Sequence, residues 1–517
     1  MEWVETGPGR FRKELGGVEK VYRRISTAFA PLGREHWLLY CVCELEFPDH
    51  AQGSFTAVGT ALRGAWIALR HEFPALGVLP DGLTAKTYQA PTAQSIEEWA
   101  DETFVLAAAD QDPDAVLAAC PARDVPRMYF FPSTQQVLLL ISHWRVDGLG
   151  ACMLMDRFLA LAAAGGDTTA PPSLSSATSG ACGEGVPDVQ RISPTLEDAL
   201  GAPPDTGDND PEAEVFARDY ISAHHRTAVH AGGLPYAGDA KTPPGASARS
   251  QITLDRPSTA ALVAACRAQE VTVTAAVHAA LAEAVFGLSR DYEGRDSDKY
   301  AAVVSVNLRP RLSPPYRHSG TNNDNNDDEN NNKSANSRQH AAGVYVTGVT
   351  PAVERAQTFG EKARSLTAFY RSAAWFTPQF VRALRPIMRL HAAALFEGPP
   401  PAKPPSAVTL SSLGVLEPYL GGHYPAGGGG GGRQAAPAIR VRAFRFGVTI
   451  MTRQMLLYVW TFGQQLTLSV NYNKAYHDDA AALELLERVR HGLQEGLGVP
   501  LKVQVGDGGE EKGVDLS

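Results

Sequence analysis

His143 and Asp147 stand four residues apart at the end of an apolar run, in VLLLISHWRVDG (residues 137–148). A hydroxyl is a poor nucleophile at neutral pH, and an imidazole with a free ring nitrogen is suited to take its proton. Asp147 is close enough in sequence to orient that ring, as a carboxylate does in a Ser-His-Asp triad. Gly148 permits a tight backbone before the next element. Of the fourteen histidines only His143 has an aspartate at the fourth position after it, so the pairing singles out one site. A plainer arrangement fits the same residues, with the histidine capping a turn and the aspartate capping the following helix.

Such a pair needs a rigid support. The continuous run Val137, Leu138, Leu139, Leu140 and Ile141 predicts a strand covered on both faces. Residues 149–163, with Leu154, Phe158 and Leu161 at helical spacing, predict a helix that starts beside His143 and Asp147. Upstream, 37–47 predicts a strand and 59–73 a helix closed by Pro74, while the first twenty-odd residues read as a loosely ordered lead-in. Residues 165–210 turn to Gly, Pro, Ser, Ala and Asp and predict an exposed linker. Residues 318–342, dominated by Asn and Asp, predict a disordered surface insertion. Helices are expected at 212–230, 259–269 and 275–287, the last capped by Thr274, and strands at 251–254, 300–308 and 343–349. A mostly helical stretch follows at 352–395, broken at Pro378 and Pro386. The chain closes with a hairpin, 455–462 and 466–472, and an amphipathic helix at 480–496 bearing Leu483, Leu486 and Val489. In the second hairpin strand Thr467, Ser469 and Asn471 share a face, and a polar face on an interior strand predicts a wet channel.

The His-x-x-x-Asp-Gly string after an apolar strand resembles the motif of the chloramphenicol-acetyltransferase-like acyltransferase superfamily. Residues 271–285 (VTVTAAVHAALAEAV), 303–312 (VVSVNLRPRL), 410–420 (LSSLGVLEPYL) and 468–478 (LSVNYNKAYHD) resemble its later blocks, in the family's order. The nearest pattern is the fungal trichothecene 15-O-acetyltransferase type, which residues 191–201 (RISPTLEDALG) also resemble. Many relatives carry two adjacent histidines; here the first is Ser142, and the family's base matches His143. The late Asp-Phe-Gly-Trp-Gly motif of plant members is reduced to its centre, Phe446 and Gly447.

The resemblance implies an α/β fold of two similarly built halves, each a mixed sheet flanked by helices, meeting at a tunnel that holds His143. It implies an O-acyltransferase moving an acetyl or short acyl group from acyl-CoA to a hydroxyl of a secondary metabolite, such as a trichothecene-like sesquiterpenoid. Acetyl-CoA would be a co-substrate, with no permanently bound cofactor. The family pairs the aspartate with an arginine that matches Arg309, rather than with the histidine ring. Ser411, Ser412, Trp460 and Thr461 lie in segments that resemble the family's channel-lining strands, and Tyr472 is a further substrate-binding candidate. The phosphates of acetyl-CoA need local cations, for which Arg385, Arg389, Lys403, Arg440, Arg442 and Arg445 are candidates. Two rivals stand beside this reading: a condensation-type enzyme fed by a carrier protein, and a catalytically silent relative that only binds a metabolite.

Composition agrees with a metabolic enzyme. The 517 residues, 44% hydrophobic, can bury a large core and predict two halves, 25–245 and 246–500. A net charge of -9 without a basic block argues against nucleic acid as the main partner. The start, MEWVETGPGRFRKELGG, lacks the apolar core of a signal peptide, and no run approaches the length of a membrane span, so a cytoplasmic monomer is expected. Cys41, Cys43, Cys120, Cys152, Cys182 and Cys266 form no CxxC and have no His at metal spacing; reduced thiols and no metal are expected. His278, in an alanine-rich helix, and the pair His224 and His225, which no Asp-Gly follows, read as packing and surface residues. The glycine run 427–432 lacks a Gly-Lys-Ser/Thr ending and is low complexity rather than a phosphate loop.

Overall fold

The apolar run becomes the strand Gln136–Ser142, inside a six-stranded sheet. The order is His423–Tyr424, Ile439–Val448, Leu38–Glu46, Gln136–Ser142, Arg127–Phe131, Phe104–Leu106. Alternation sends Val137, Leu139 and Ile141 to join Leu39, Cys41 and Cys43 against the helices Phe55–Glu72 and Gly148–Ala163. Leu138 and Leu140 join Leu38, Tyr40, Val42 and Leu117 on the opposite face. Both faces are covered, so the run is apolar throughout instead of alternating. A computed structural model of the chain describes residues 2–48, 55–119, 122–165, 188–205, 210–228, 231–289, 297–314, 316, 340–397, 404–426 and 438–504.

A second six-stranded sheet runs Val346–Val349, Val304–Asn307, Val408–Val415, Met455–Phe462, Gln465–Asn473, Ser247–Thr253. One face, with Leu410, Leu457, Val459, Leu468 and Val470, packs under the helices Arg256–Ala268, Val273–Ser289, Phe359–Ser372 and Asp479–Leu497. The hairpin turn has positive φ at Gly463 (59°) and Gln464 (66°), the geometry whose twist matches paired strands. The two sheets interlock. The strand Ile439–Val448, late in the chain, pairs antiparallel with Leu38–Glu46 in the first sheet. Its Phe444 and Phe446 meet Trp460 and Tyr458 of the second sheet edge-on, at 5.7 and 5.2 Å between ring centres.

Several expectations are corrected. The first twenty-odd residues are ordered: strands Val4–Gly7 and Arg10–Glu14 join Leu79–Asp81 and Ala85–Gln89 in a small sheet, and Gly17–Thr27 is a helix. Its apolar side is spaced Val18, Val21, Tyr22, a short stripe that charged neighbours hide in the sequence. The linker expected at 165–210 is interrupted, because Val189, Ile192, Leu196 and Ala199 are buried; 166–187 and 206–209 lie outside the described residues. Most of the insertion lies outside them too, but Ala341 and Ala342, placed at its end, are core residues. The strand expected at 300–308 is two strands, Lys299–Ala301 and Val304–Asn307, in different sheets. Pro386 does not break a helix; it sits in the first turn of Leu384–Phe396, where a missing N–H costs nothing. Thr272, not Thr274, caps Val273–Ser289, through the N–H of Ala275. Leu483 is exposed, and Leu485 takes its place in the core beside Leu486 and Val489.

Cys41, Cys43, Cys152 and Cys266 are buried free thiols, while Cys120 and Cys182 lie outside the described residues. His278 is fully buried and its Nδ1 lies 2.7 Å from the Tyr370 hydroxyl, the packing role expected of it. No single helix among the described residues is long and apolar enough to cross a membrane; Arg256–Ala268 and Val273–Ser289 reach that composition only together, across a 97° bend.

Candidate active site

The strand Gln136–Ser142 ends in a tight turn, closed by the Arg145 N–H donating to the Ser142 carbonyl at 3.0 Å, and His143 begins that turn. Its half-buried imidazole lies flat on the ring of Tyr22, 4.1 Å between centres and 9° between planes. Trp37 tilts against it at 6.3 Å and 43°. Trp37 has φ 60°, a left-handed conformation costly for a bulky residue, and its N–H is fixed by the Thr449 carbonyl at 2.9 Å. The His143 pKa is lowered, because burial disfavours the imidazolium more than the backbone at His143 and Val146 and the charge of Asp147 favour it. The ring is therefore neutral at neutral pH.

Asp147 does not hydrogen-bond that ring. It is almost fully buried, and its Oδ1 accepts from the Gly150 N–H (2.9 Å) and from Arg309 Nη1 (2.8 Å). Its Oδ2 accepts from the same Nη1 (2.8 Å) and from the Tyr345 N–H (2.7 Å). The capping role and the arginine pairing thus coexist on one carboxylate, and the triad-like alternative is absent. Arg309, also buried, lies over the Tyr345 ring at 5.2 Å, and the Tyr345 hydroxyl donates to the Pro194 carbonyl at 2.9 Å. Gly148 follows Asp147 because a Cβ there would come within 2.9 Å of Phe446 Cζ and 3.0 Å of Leu413 Cδ2.

The other wall is the inner face of the second sheet. Paired residues share a face, so Ser411, Tyr458 and Ser469 line up, with Asn471 next along its strand. The polar face read from the hairpin is real: Thr467, Ser469 and Asn471 are all buried, and among the described residues Ser469 Oγ and Asn471 Oδ1 have no hydrogen-bond partner. Asn471 Nδ2 donates to the Tyr40 hydroxyl of the first sheet at 2.5 Å. That contact passes over Gly447, where any Cβ would overlap Asn471 Oδ1 and the Tyr40 ring. Burial raises the pKa of Tyr22, Tyr40 and Tyr458, so these phenols stay protonated.

Residues 243–323 match the family model described as Phthiocerol/phthiodiolone dimycocerosyl transferase C-terminus. The chain is 41% identical to the O-acetyltransferase pigM of Monascus ruber over 97% of its own length and 88% of that protein. It is 38% identical to the azaphilone biosynthesis cluster protein M of Aspergillus terreus, over 96% of its length and 98% of that protein. The solved trichothecene 15-O-acetyltransferase of Fusarium sporotrichioides has the same fold, at 15% identity, TM-score 0.72, and 96% and 98% coverage of the two chains. The chain belongs to the family of fungal O-acetyltransferases that includes pigM, and its fold is the chloramphenicol-acetyltransferase-like one. It is an acetyltransferase.

The other expected site residues of this acetyltransferase are not all brought to His143. Ser412 faces away from Ser411 and shares a hydrogen bond with Thr274, Oγ to Oγ1, at 2.8 Å. Trp460 is packed against Phe444, and half-buried Thr461 uses its carbonyl to accept the Leu416 N–H at 3.0 Å. Tyr472 points into the second core, where its hydroxyl donates to Asp479 at 2.5 Å. The cations considered for the donor phosphates are paired. Arg385 meets Asp198 (2.6 Å), and Arg389 meets Asp205 (3.0 Å) and Glu214. Arg440 and Arg442 share Glu46 (3.4 and 2.9 Å), Arg445 meets Asp114 (3.5 Å), and Lys403 lies outside the described residues. Sequence reasoning missed Tyr22, Trp37, Tyr40 and Tyr458. The alternation in the hairpin pointed to Ser469 and Asn471, but nothing local marked Tyr22.

Proposed function

We propose that this acetyltransferase moves the acetyl group of acetyl-CoA onto a hydroxyl of an azaphilone-type metabolite, with His143 as general base. The observation that carries the reading is the neutral, half-buried imidazole at a strand end, stacked on Tyr22 and tilted against Trp37. His143 takes the acceptor's hydroxyl proton as that oxygen attacks the thioester carbonyl. The tetrahedral intermediate collapses with cleavage of the carbon–sulfur bond, and the imidazolium returns the proton to the departing thiolate. Ester and free thiol are the products, and no acyl-enzyme is needed.

Asp147 holds the turn rather than the ring, since all its described partners are backbone N–H groups and Arg309. The Ser469 hydroxyl, buried without a hydrogen-bond partner among the described residues, is the candidate donor to the developing oxyanion. The acceptor class is supported by the relative named for an azaphilone cluster, 38% identical over nearly the whole chain. The sesquiterpenoid acceptor has behind it a likeness of fold alone.

The test is direct: purified protein, acetyl-CoA and a hydroxylated azaphilone precursor, with released thiol and product mass followed together. Stoichiometric thiol and a product heavier by one acetyl group support the reading. Thiol release without acetylated product, or activity only with a carrier-protein-bound donor, sinks it.

A further inference from the structure

An open cavity of about 550 Å³, whose lining does not include His143, is bounded by Arg267, Glu270, Val271, Arg364, Thr367 and Arg371 among others. Arg267 ends the helix Arg256–Ala268; Arg364 and Arg371 lie two turns apart on Phe359–Ser372 and so share a face. All three are exposed, and among the described residues none of the three guanidinium groups has an ion-pair partner. Three cations stand against Glu270 and, one turn before Arg364, Glu361, a local excess of positive charge on a chain whose net charge is -9. It contrasts with Arg385, Arg389, Arg440, Arg442 and Arg445, each tied to a carboxylate.

The cavity also touches the start of a long helix. Val271 lines it, and the Thr272 N–H, just before Val273–Ser289, donates to Thr367 Oγ1 at 3.1 Å. A helix N-terminus adds a partial positive charge to the arginines. From the first turn of that helix a line of contacts runs to the reacting region. Thr274 bonds Ser412, and the next residue, Leu413, packs against Gly148, which follows Asp147.

We infer that Arg267, Arg364 and Arg371 hold the phosphate-bearing nucleotide end of a coenzyme A thioester. This rests on the acetyl transfer proposed above. The diphosphate and 3′-phosphate supply the anions that three guanidinium forks recognise, while the thioester end is uncharged.

The experiment substitutes Arg267→Gln, Arg364→Gln and Arg371→Gln, singly and together. It measures kcat and KM with acetyl-CoA and with S-acetylpantetheine, which keeps the thioester and the arm but carries no phosphate. Each substitution raises the KM for acetyl-CoA about five- to tenfold, the triple variant more, with kcat unchanged. Added salt narrows the difference between wild type and variants. The kinetics with S-acetylpantetheine and the melting temperature stay at wild-type values. An unchanged KM for acetyl-CoA in the triple variant, or equal losses with both donors, overturns the assignment. Calorimetric titration with CoA separates this failure from that of the proposed reaction. Binding by wild type that the triple variant loses supports the site even if no acetyl transfer is seen, and absence of binding by wild type overturns it.

Discussion

At the scale of single residues, the imidazole of His143 is set by packing rather than by a hydrogen bond from Asp147. Replacing it (His143→Ala) is expected to lower kcat/KM by about 10²–10⁴-fold while the melting temperature is retained, since the ring is half-buried. Because its folded pKa is depressed by burial, the low-pH limb of kcat/KM should fall below about 6.5, the ordinary histidine value. A limb at or above that value would mean that another group titrates. Tyr22 supplies a test of the stacking. Tyr22→Ala should cost about three- to tenfold in rate, and Tyr22→Phe, which keeps the ring, should cost little. If Phe proves as damaging as Ala, the hydroxyl and not the stacked face is what matters.

At the scale of elements, one carboxylate joins the start of Gly148–Ala163 to Arg309 and Tyr345, which lie 162 and 198 residues after Asp147 in sequence. Asp147→Ala and Arg309→Ala each leave a buried charge unpaired, so each should destabilise by about 3–5 kcal/mol. The double variant should lose less than the sum, as read from denaturant midpoints; additivity would show that the two do not interact in solution. A second element-level test is Gly447→Ala. Its methyl would overlap Asn471 and Tyr40, where the two sheets meet, and overpacking there should cost about 1–3 kcal/mol in a chemical melt. Wild-type stability in that variant would show that the sheets part there easily.

At the scale of the whole molecule, buried histidines govern the response to acid. Burial lowers His36 and His278 to about 3 and His340 and His391 to about 4. Each stays neutral in the folded chain but charges near 6.5 when unfolded, so below 6.5 the unfolded state binds more protons. Their stabilisation is complete above that pH and is lost as pH falls toward 4. Glu35, pushed up to about 7 by burial, acts with the opposite sign: its stabilisation is complete at low pH and is lost as pH rises through 7. Burial raises Glu197 as well, but the four histidines outnumber the two carboxyls, so the melting temperature should drop steadily from pH 6.5 to 4; a flat profile would refute the burial argument. Replacing 317–339 with a short Gly-Ser loop should leave stability nearly unchanged, because closure entropy grows only with the logarithm of length. The replacement must spare His340, which packs edge-on against Tyr316, and Ala341 and Ala342, which pack beside the motif helix.

The sequence alone determined what depends on neighbours along the chain. The doubly covered strand, the helix after Asp147 and the final hairpin with its polar face were all legible, because periodicity is local. Tertiary structure decided what depends on distant segments meeting. Tyr22 reaches His143 from a helix whose short apolar stripe gave no warning, and Ile439–Val448 enters the first sheet although it lies about 400 residues after Leu38–Glu46. Tyr472 and Ser412 sat in the right strands but point to the wrong side, since a strand's two faces become core or site only when something packs against them. The pairing of Arg385, Arg389, Arg440, Arg442 and Arg445 with carboxylates far away in sequence was likewise invisible, because charge type is written in the chain but charge partners are chosen by the fold.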